Sequence, residues 1–276
     1  MNQQEQQWFE ELTAKRRDFR KSILDNNYDE IWNVITSPYS DQAHFIYELL
    51  QNADDSGAQR AEFKLYEDKL IFTHNGTRRF SVSNPERRQT KEDAKNGCLG
   101  DVNSITGVSN STKAKDENSI GKFGIGFKSV FIYTDCPHIY DDNMHFKISD
   151  FVIPELLQDD YPGREKGTTV FVFPFSSREN APKNIFQDIL DKLKNLIFPT
   201  FFLRNLCEIA WNSEAKGEKS FGCYTKTKHN SETFEDRTKI EIIVLRKKID
   251  QELEEKSFIL LSRPTALNDN LRYAIG

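Results

Sequence analysis

The stretch FIYELLQNADDSGA, residues 45–58, has the apolar spacing of a buried helix but also carries a polar stripe. Glu48, Asn52 and Asp55 follow one another at intervals of four and three residues, which places them along one side of a helix. Most of the other positions are apolar and can face a core. A capped or ion-paired helix would explain one such polar residue more readily than three. The pattern therefore indicates that this side of the helix faces a polar site.

The composition sets limits on the class of protein. The chain has 276 residues, of which 37% are hydrophobic and 29% charged, enough for one large domain or one domain plus part of another. Its net charge of −5 gives no overall attraction to nucleic acid. No apolar run reaches the roughly 18 residues of a membrane span, and the polar amino terminus does not resemble a signal peptide. The four cysteines lack a C-x-x-C pair, so we expect reduced thiols in a cytoplasmic protein.

Periodicity and turn residues predict the order of elements along the chain. Residues 81–101 look like a polar surface excursion, and residues 102–119 look like a mobile loop. The basic cluster within residues 15–21 fits either a solvated helix face or a docking arm for a partner. We expect helices at 3–25, at 28–36, from Pro38 through the stretch 45–58, and at 184–198. We also expect a glycine turn leading into an apolar helix at 121–132, a β-hairpin at 61–76, and strands at 145–149, 168–175, 208–212, 239–248 and 256–264.

A glycine-rich segment, SIGKFGIGFKSVF at residues 119–131, precedes the apolar helix. Glycines there let backbone N–H groups approach an anion, and the amino end of a helix adds partial positive charge. The order G-x-x-G-x-G is not the dinucleotide fingerprint, and Phe127 interrupts the Gly-Lys-Ser of a P-loop. Taken alone, the segment fits a glycine-rich turn into a buried helix equally well.

Five short motifs occur in a fixed order and together resemble a known family. They are E-x-x-x-N-A at 48–53, an x-N-G turn at 74–76, S-T-K at 111–113, G-x-x-G-x-G at 121–126, and G-T at 167–168. The set resembles the ATP-binding domain shared by gyrase B, the ninety-kilodalton heat-shock chaperones, sensor histidine kinases and MutL, known as the GHKL superfamily with the Bergerat fold. The sacsin-type branch is the most similar, and the resemblance spans about residues 28–175.

The resemblance implies an α+β fold, a two-layer sandwich in which helices cover one face of a mixed, mostly antiparallel sheet. It also suggests three parts of the chain. Residues 1–27 would be an amino-terminal helical arm, residues 28–212 the ATP-binding domain, and residues 213–276 the beginning of a transducer-like or middle domain. We expect this last part to be truncated.

The same resemblance assigns roles to individual residues. Glu48 would be the general base that activates water, Asn52 would be a Mg²⁺ ligand, and Asp55 would meet the sugar or adenine through water. Lys113 matches a lid lysine and Thr168 a threonine of the adenine pocket, although a surface lysine and an ordinary strand threonine are the simpler alternatives. The remaining nucleotide-binding residues implied are Gly76, Ser111, Thr112, Gly121, Lys122, Phe123, Gly124, Ile125, Gly126 and Phe127.

The x-N-G turn departs from the family pattern at two positions. His74 stands where relatives have an adenine-reading aspartate, and Thr77, not a second glycine, follows Gly76. A neutral imidazole can accept a hydrogen bond from the adenine amino group through its bare nitrogen, whereas the protonated ring only donates. We therefore expect adenine selectivity at neutral pH that weakens as His74 protonates. The alternative is that water or a backbone group reads the base.

The function implied is Mg²⁺-dependent binding of ATP and its slow hydrolysis to ADP, with lid closure driving a change in a larger chaperone-like or defence-associated protein. The alternative is an interaction module that binds nucleotide without hydrolysing it. Expected partners are a second copy in a nucleotide-dependent homodimer, a protein client, or downstream domains of the same chain. A sensor kinase is disfavoured, because the only upstream histidine, His44, lies within the helix of the polar stripe.

Overall fold

The computed structural model describes residues 1–25, 45–86, 100–107, 126–177, 181–234 and 238–262. Its α-helices are α1 (Gln3–Asp25), α2 (Phe45–Asp55), α3 (Asp101–Ile105) and α4 (Ile185–Lys194), with a 3-10 helix at Gly126–Ile132. Its strands are β1 (Arg60–Tyr66), β2 (Lys69–His74), β3 (His138–Tyr140), β4 (His145–Ser149), β5 (Ile153–Leu156), β6 (Thr169–Pro174), β7 (Glu208–Ala215), β8 (Glu218–Thr233), β9 (Lys239–Ile249) and β10 (Glu252–Ser262).

The described strands form one sheet in the order β10-β9-β8-β7-β1-β2-β6-β3-β4-β5. The pair β1–β7 is parallel, and the other neighbours are antiparallel. The hairpin predicted at residues 61–76 is confirmed as β1 and β2, which turn at Glu67 and Asp68. Side chains alternate between the two faces of each strand, and β1 buries one face whereas β2 has buried residues on both.

One face of the sheet packs against the helices. Phe63 of β1 and Phe72 of β2 are buried in the same cluster as Leu49 and Leu50 of α2 and Phe9 of α1. The opposite face has a smaller cluster, formed by Ile71, Tyr140, Val170 and Val172. Because strand side chains alternate between faces, this division places the main core between the sheet and the helices. The mixed α+β fold with a mostly antiparallel sheet is therefore confirmed.

Two expectations for residues 81–119 are wrong where the structure describes them. Ser81, Val82 and Ser83 are buried and not part of a surface excursion. The first residues of the expected mobile loop belong to α3, where Val102 and Ile105 are fully buried. Their spacing of three residues aligns both on one helix face, so even a short helix of this kind can contribute to the core. Residues 108–119 lie outside the described residues.

The predicted helix at 121–132 appears as a 3-10 helix from Gly126 to Ile132, and residues 121–125 lie outside the described part of the chain. Helix α1 matches the predicted range and buries Phe9 and Leu12 in the main core. The proposed division between residues 212 and 213 falls within β7, and β8, β9 and β10 continue the same sheet beyond it. No described helix is long and apolar enough to cross a membrane.

Candidate functional site

Helix α2 presents a polar side to a cleft, as the sequence pattern indicated. Glu48 and Asn52 are half-buried, and Asn52 lines the cleft together with Ser56, one turn further on. Asp55 is exposed and is not among the cleft-lining residues. Asn52 and Ser56 are therefore the residues of this segment that line the cleft, and Glu48 lies one helical turn before Asn52 on the same side of α2. Ser56 follows the last residue of α2, where the chain leaves the helix.

The neighbouring acid, Asp54, has a structural role. Its carboxylate accepts hydrogen bonds from the backbone N–H groups of Arg204, Asn205 and Leu206, at 2.9, 2.7 and 2.7 Å. The Asp54 side chain is buried, and these bonds tie the end of α2 to the segment that precedes β7. Charged hydrogen bonds of this kind hold a helix in a fixed position.

Glu48 meets the glycine-rich segment at Gly126. A β-carbon built on Gly126 would overlap with Oε2 and Cδ of Glu48, so the carboxylate lies directly against this backbone. Only glycine leaves that space. The structure thus brings together two motifs separated by almost eighty residues, the helix with the acid and the start of the 3-10 helix.

The cleft beside α2 has a largely apolar surface, with several polar side chains among its lining residues. The aromatic rings of Phe80, Phe127 and Phe171 form much of its wall, and the ring centroids of Phe127 and Phe171 are 6.1 Å apart. An apolar cleft with a few convergent polar groups is typical of small-ligand sites. Phe127, assigned to nucleotide binding by sequence, lies in this wall.

His74 lines the cleft with only 5% of its surface exposed. Its Nδ1 accepts a hydrogen bond of 3.1 Å from the backbone N–H of Gly76. Burial, reinforced by Arg79 and Arg78, lowers the pKa of His74 to about 3. The expectation that His74 titrates near neutral pH and accepts through its bare nitrogen is therefore wrong. The bare nitrogen is already occupied, and the ring stays neutral.

Gly76, another residue assigned by sequence, fits closely between its neighbours. A β-carbon at Gly76 would overlap with Ser56 Oγ and approach His74 Nδ1 to 3.0 Å. The x-N-G turn therefore needs glycine for close packing against the end of α2. Asn75 accepts hydrogen bonds from the backbone N–H groups of Gln59 and Arg60, both at 2.9 Å, which fixes the turn against the start of β1.

The threonine at the cleft is Thr169, and the predicted Thr168 lies outside it. The Thr168 hydroxyl donates a 2.6 Å hydrogen bond to the backbone oxygen of Glu165 in the preceding turn. Thr169 is 1% exposed, lines the cleft and has no hydrogen-bond partner for Oγ1 among the described residues. Consecutive strand residues point to opposite faces, so a shift of one residue exchanges a turn contact for a site contact.

Sequence reasoning missed a charged group beside the cleft. Arg78 Nη2 lies 2.9 Å from Asp101 Oδ1, and Oδ2 of Asp101 accepts from the backbone N–H and the hydroxyl of Ser81. Burial raises the pKa of Asp101, and Arg78 opposes that shift. Arg79 donates to the backbone oxygen of Gly76 at 2.6 Å. The Thr-Arg-Arg run at residues 77–79 was the available signal, because it places two cations directly after a turn in which a second glycine was expected.

Eight residues assigned by sequence to nucleotide binding lie outside the described residues. They are Ser111, Thr112, Lys113, Gly121, Lys122, Phe123, Gly124 and Ile125.

The donors present suit magnesium bound together with phosphate. Asn52 offers a hard amide oxygen on the cleft side of α2, with the Glu48 carboxylate one turn before it. Mg²⁺ bound to a nucleotide is usually held by one or two protein oxygens plus phosphates and water. Within the described ranges no group of three or more His, Cys, Asp or Glu residues could hold a metal by itself. The residues therefore fit a metal that is shared with a nucleotide, not a protein-only site.

Comparison with known proteins gives a family match and several relatives. Residues 26–161 match the model of the Sacsin domain family. The chain is 38% identical over 109 residues to Protein NO VEIN of Arabidopsis thaliana, across 40% of this chain and 4% of that protein. It is 32% identical over 117 residues to Chaperone protein HtpG of Salmonella typhi, across 37% of this chain and 19% of that protein. The matches thus span less than a fifth of each of these relatives.

A solved structure is also similar, the topoisomerase IV ATP binding domain of Francisella tularensis in complex with a small molecule inhibitor. It aligns with a TM-score of 0.39 and 19% identity, over 64% of this chain and 84% of that one. The Sacsin match and the two sequence relatives define this chain as carrying the fold of the GHKL ATPases, a nucleotide-binding fold. The resemblance recognised in the sequence motifs is therefore confirmed.

Proposed function

We propose that this chain binds Mg-ATP in the cleft beside α2 and hydrolyses it slowly to ADP and phosphate. The observation that carries the proposal is the contact between Glu48 and the backbone of Gly126, with Asn52 one turn away among the residues that line an apolar cleft. An acid, a metal-binding amide and a glycine-rich helix start are the groups that phosphoryl transfer to water requires. The cleft supplies an apolar wall for the base.

Glu48 is the proposed general base. Its carboxylate orients a water molecule and accepts a proton as the water oxygen attacks the γ-phosphorus and the bond to the ADP oxygen breaks. Asn52 would hold magnesium through its side-chain oxygen, and the metal would neutralise charge on the phosphate oxygens. Gly126 keeps the Glu48 carboxylate close to the phosphate side of the cleft, because no side chain intervenes.

Glu48→Ala tests the catalytic assignment. The variant should lose phosphate release by a hundredfold or more, while calorimetry shows Mg-ATP affinity within about threefold of wild type. Asn52→Ala should weaken both binding and turnover, since it removes a metal ligand. Gln51→Ala is the matched control, because Gln51 is exposed on the same helix. Phosphate release by Glu48→Ala at the wild-type rate would overturn the assignment.

Gly126→Ala provides a geometric version of the same test. The added methyl group would displace the flexible end of Glu48, so turnover should fall while the fold persists. In a Glu48→Ala background the same substitution should have no further effect on turnover, because the displaced carboxylate is already gone. If Gly126→Ala lowered turnover by the same factor with and without Glu48, the contact between Gly126 and Glu48 would not explain the loss.

The wider role rests on the relatives. HtpG is named a chaperone, and we propose that nucleotide-linked closure over the cleft drives a change in a larger chaperone-like or defence-associated protein. We further propose that the chain acts in the cytoplasm, that turnover is slow in isolation and that a nucleotide-dependent homodimer raises it. Turnover per chain that rises with protein concentration would support the dimer, and a concentration-independent rate would count against it.

A further inference from the structure

His74 is a lining residue of the cleft whose ring carries a hydrogen-bond donor. The backbone N–H of Gly76 can only donate, so its 3.1 Å bond to His74 Nδ1 leaves no proton on Nδ1. The proton of the neutral ring must then reside on Nε2. No described residue accepts a hydrogen bond from this nitrogen. The ring packs against Phe72 and Phe171, with centroids 5.8 and 5.9 Å away, and this packing restricts its orientation.

Thr169 provides a second polar group directly beside His74. The two residues are opposite each other in the β2–β6 ladder, where facing side chains lie about 5 Å apart. The Thr169 hydroxyl is fully buried and has no partner within the described chain. A buried hydroxyl without a hydrogen bond is destabilising, so its position at the cleft points to a ligand that satisfies it.

His74 Nε2–H and the Thr169 hydroxyl determine which hydrogen-bonding groups a bound base must present to them. Nε2–H requires an acceptor, and the Thr169 hydroxyl can either donate or accept. A 6-keto purine has a carbonyl oxygen next to a ring N–H, so the carbonyl can accept from His74 while the N–H donates to Thr169. In the same orientation adenine would direct its amino group, a donor, at the His74 donor. The aromatic walls Phe80 and Phe127 suit any purine and do not discriminate between them.

We propose that His74 and Thr169 form a base-reading pair that accepts 6-keto purine nucleotides, with guanine or hypoxanthine as base, at least as well as ATP. The proposal rests on the nucleotide site proposed above and reverses the adenine preference that the family resemblance implies.

The test measures the affinity of the full chain for Mg-ATP, Mg-GTP and Mg-ITP by calorimetry at pH 7.5. ITP carries the 6-keto group without the 2-amino group of GTP, so it isolates the proposed contact. We expect the dissociation constant of wild type for Mg-ITP to be at most three times that for Mg-ATP. His74→Asp replaces the donor by an acceptor and should shift the ratio at least tenfold towards ATP. Thr169→Val should weaken ITP binding, since it removes the hydroxyl and keeps the shape.

Thr73→Val is the control, because Thr73 precedes His74 in β2 and its side chain points to the opposite face of the sheet. It should leave the ATP-to-ITP ratio unchanged. Wild-type binding of ATP more than threefold tighter than ITP would overturn the base-reading pair and leave the nucleotide site standing. A wild-type chain that binds none of the three nucleotides would overturn both proposals. The ratio of ATP affinity to ITP affinity in wild type tests the proposal even where a variant fails to fold.

Discussion

The burial of His74 determines its charge throughout the physiological range. Its pKa of about 3 in the folded chain lies far below the ordinary value of 6.5, chiefly because the ring is removed from water. The unfolded chain therefore binds a proton between pH 3 and 6.5 that the folded chain does not. By linkage, the stability that the neutral ring contributes is complete above pH 6.5 and is lost as the pH falls.

The lowered pKa of His74 predicts that part of the pH dependence of stability is lost when His74 is replaced. Between pH 7 and pH 5 the free energy of unfolding should fall by about 2 kcal/mol more in wild type than in His74→Gln, which has no titrating group. Denaturant unfolding of both proteins at several pH values provides the measurement. Parallel curves for the two proteins would mean that His74 remains accessible to protons in the folded state.

Individual site residues were predictable to different degrees. Glu48 and Asn52 followed from helical spacing, because α2 is regular and its polar side is continuous. Asp55 and Thr168 were assigned to the nucleotide site from the sequence. In the structure the residues that line the cleft are Ser56 and Thr169, each one residue further along the chain. A helix end and a strand start are the places where side-chain direction changes, so the sequence alone does not determine which of two neighbours faces a site.

Helix α1 is an element with a buried side and an exposed side. Leu12 and Ile23 are buried, with 3% and 5% of their surface exposed, whereas Leu24 is 50% exposed. Thr13 of the same helix donates to the backbone oxygen of Pro154 in β5, at 2.8 Å. The helix is therefore attached to the sheet through its buried residues and is part of the folded domain.

This attachment predicts unequal effects of one substitution at two places. Leu12→Ala should lower the free energy of unfolding by about 2–5 kcal/mol, because it leaves a cavity in the main core. Leu24→Ala, the matched control, should lower it by about 1 kcal/mol or less, since half of that side chain is already in water. Thermal or denaturant unfolding measures both. Equal effects would indicate that α1 is a detached arm.

Elements with local patterns were predictable, and those that depend on pairing were not. The hairpin β1–β2 and helix α4 have clear periodicity, and Asn184 caps α4 by accepting from the Gln187 N–H. Strand β8 is largely polar and was not predicted. It forms because β7 and β9 satisfy its backbone groups on both sides. Propensity carries little information for a strand placed in this way.

At the scale of the whole molecule, Asp54 connects the helix of the site to the second half of the sheet. Three backbone N–H groups at residues 204–206 depend on its carboxylate. Asp54→Ala should lower the free energy of unfolding by about 3 kcal/mol, because buried donors lose a charged partner. Asp55→Ala, the exposed neighbour, should change it by about 0.5 kcal/mol or less. Similar stability of both variants, measured by denaturant unfolding, would refute this role of Asp54.

The parallel pair β1–β7 has a consequence for synthesis of the chain on the ribosome. Arg60 and Glu208, paired across these strands, are 148 residues apart. At roughly 5–20 residues per second, the ribosome needs on the order of 7–30 seconds to produce β7 after β1 has emerged. During that interval the nascent hairpin has an unpaired strand edge, which invites wrong pairing. Slow translation between these strands would therefore lower the yield of native protein, and a holdase bound to the hairpin would raise it.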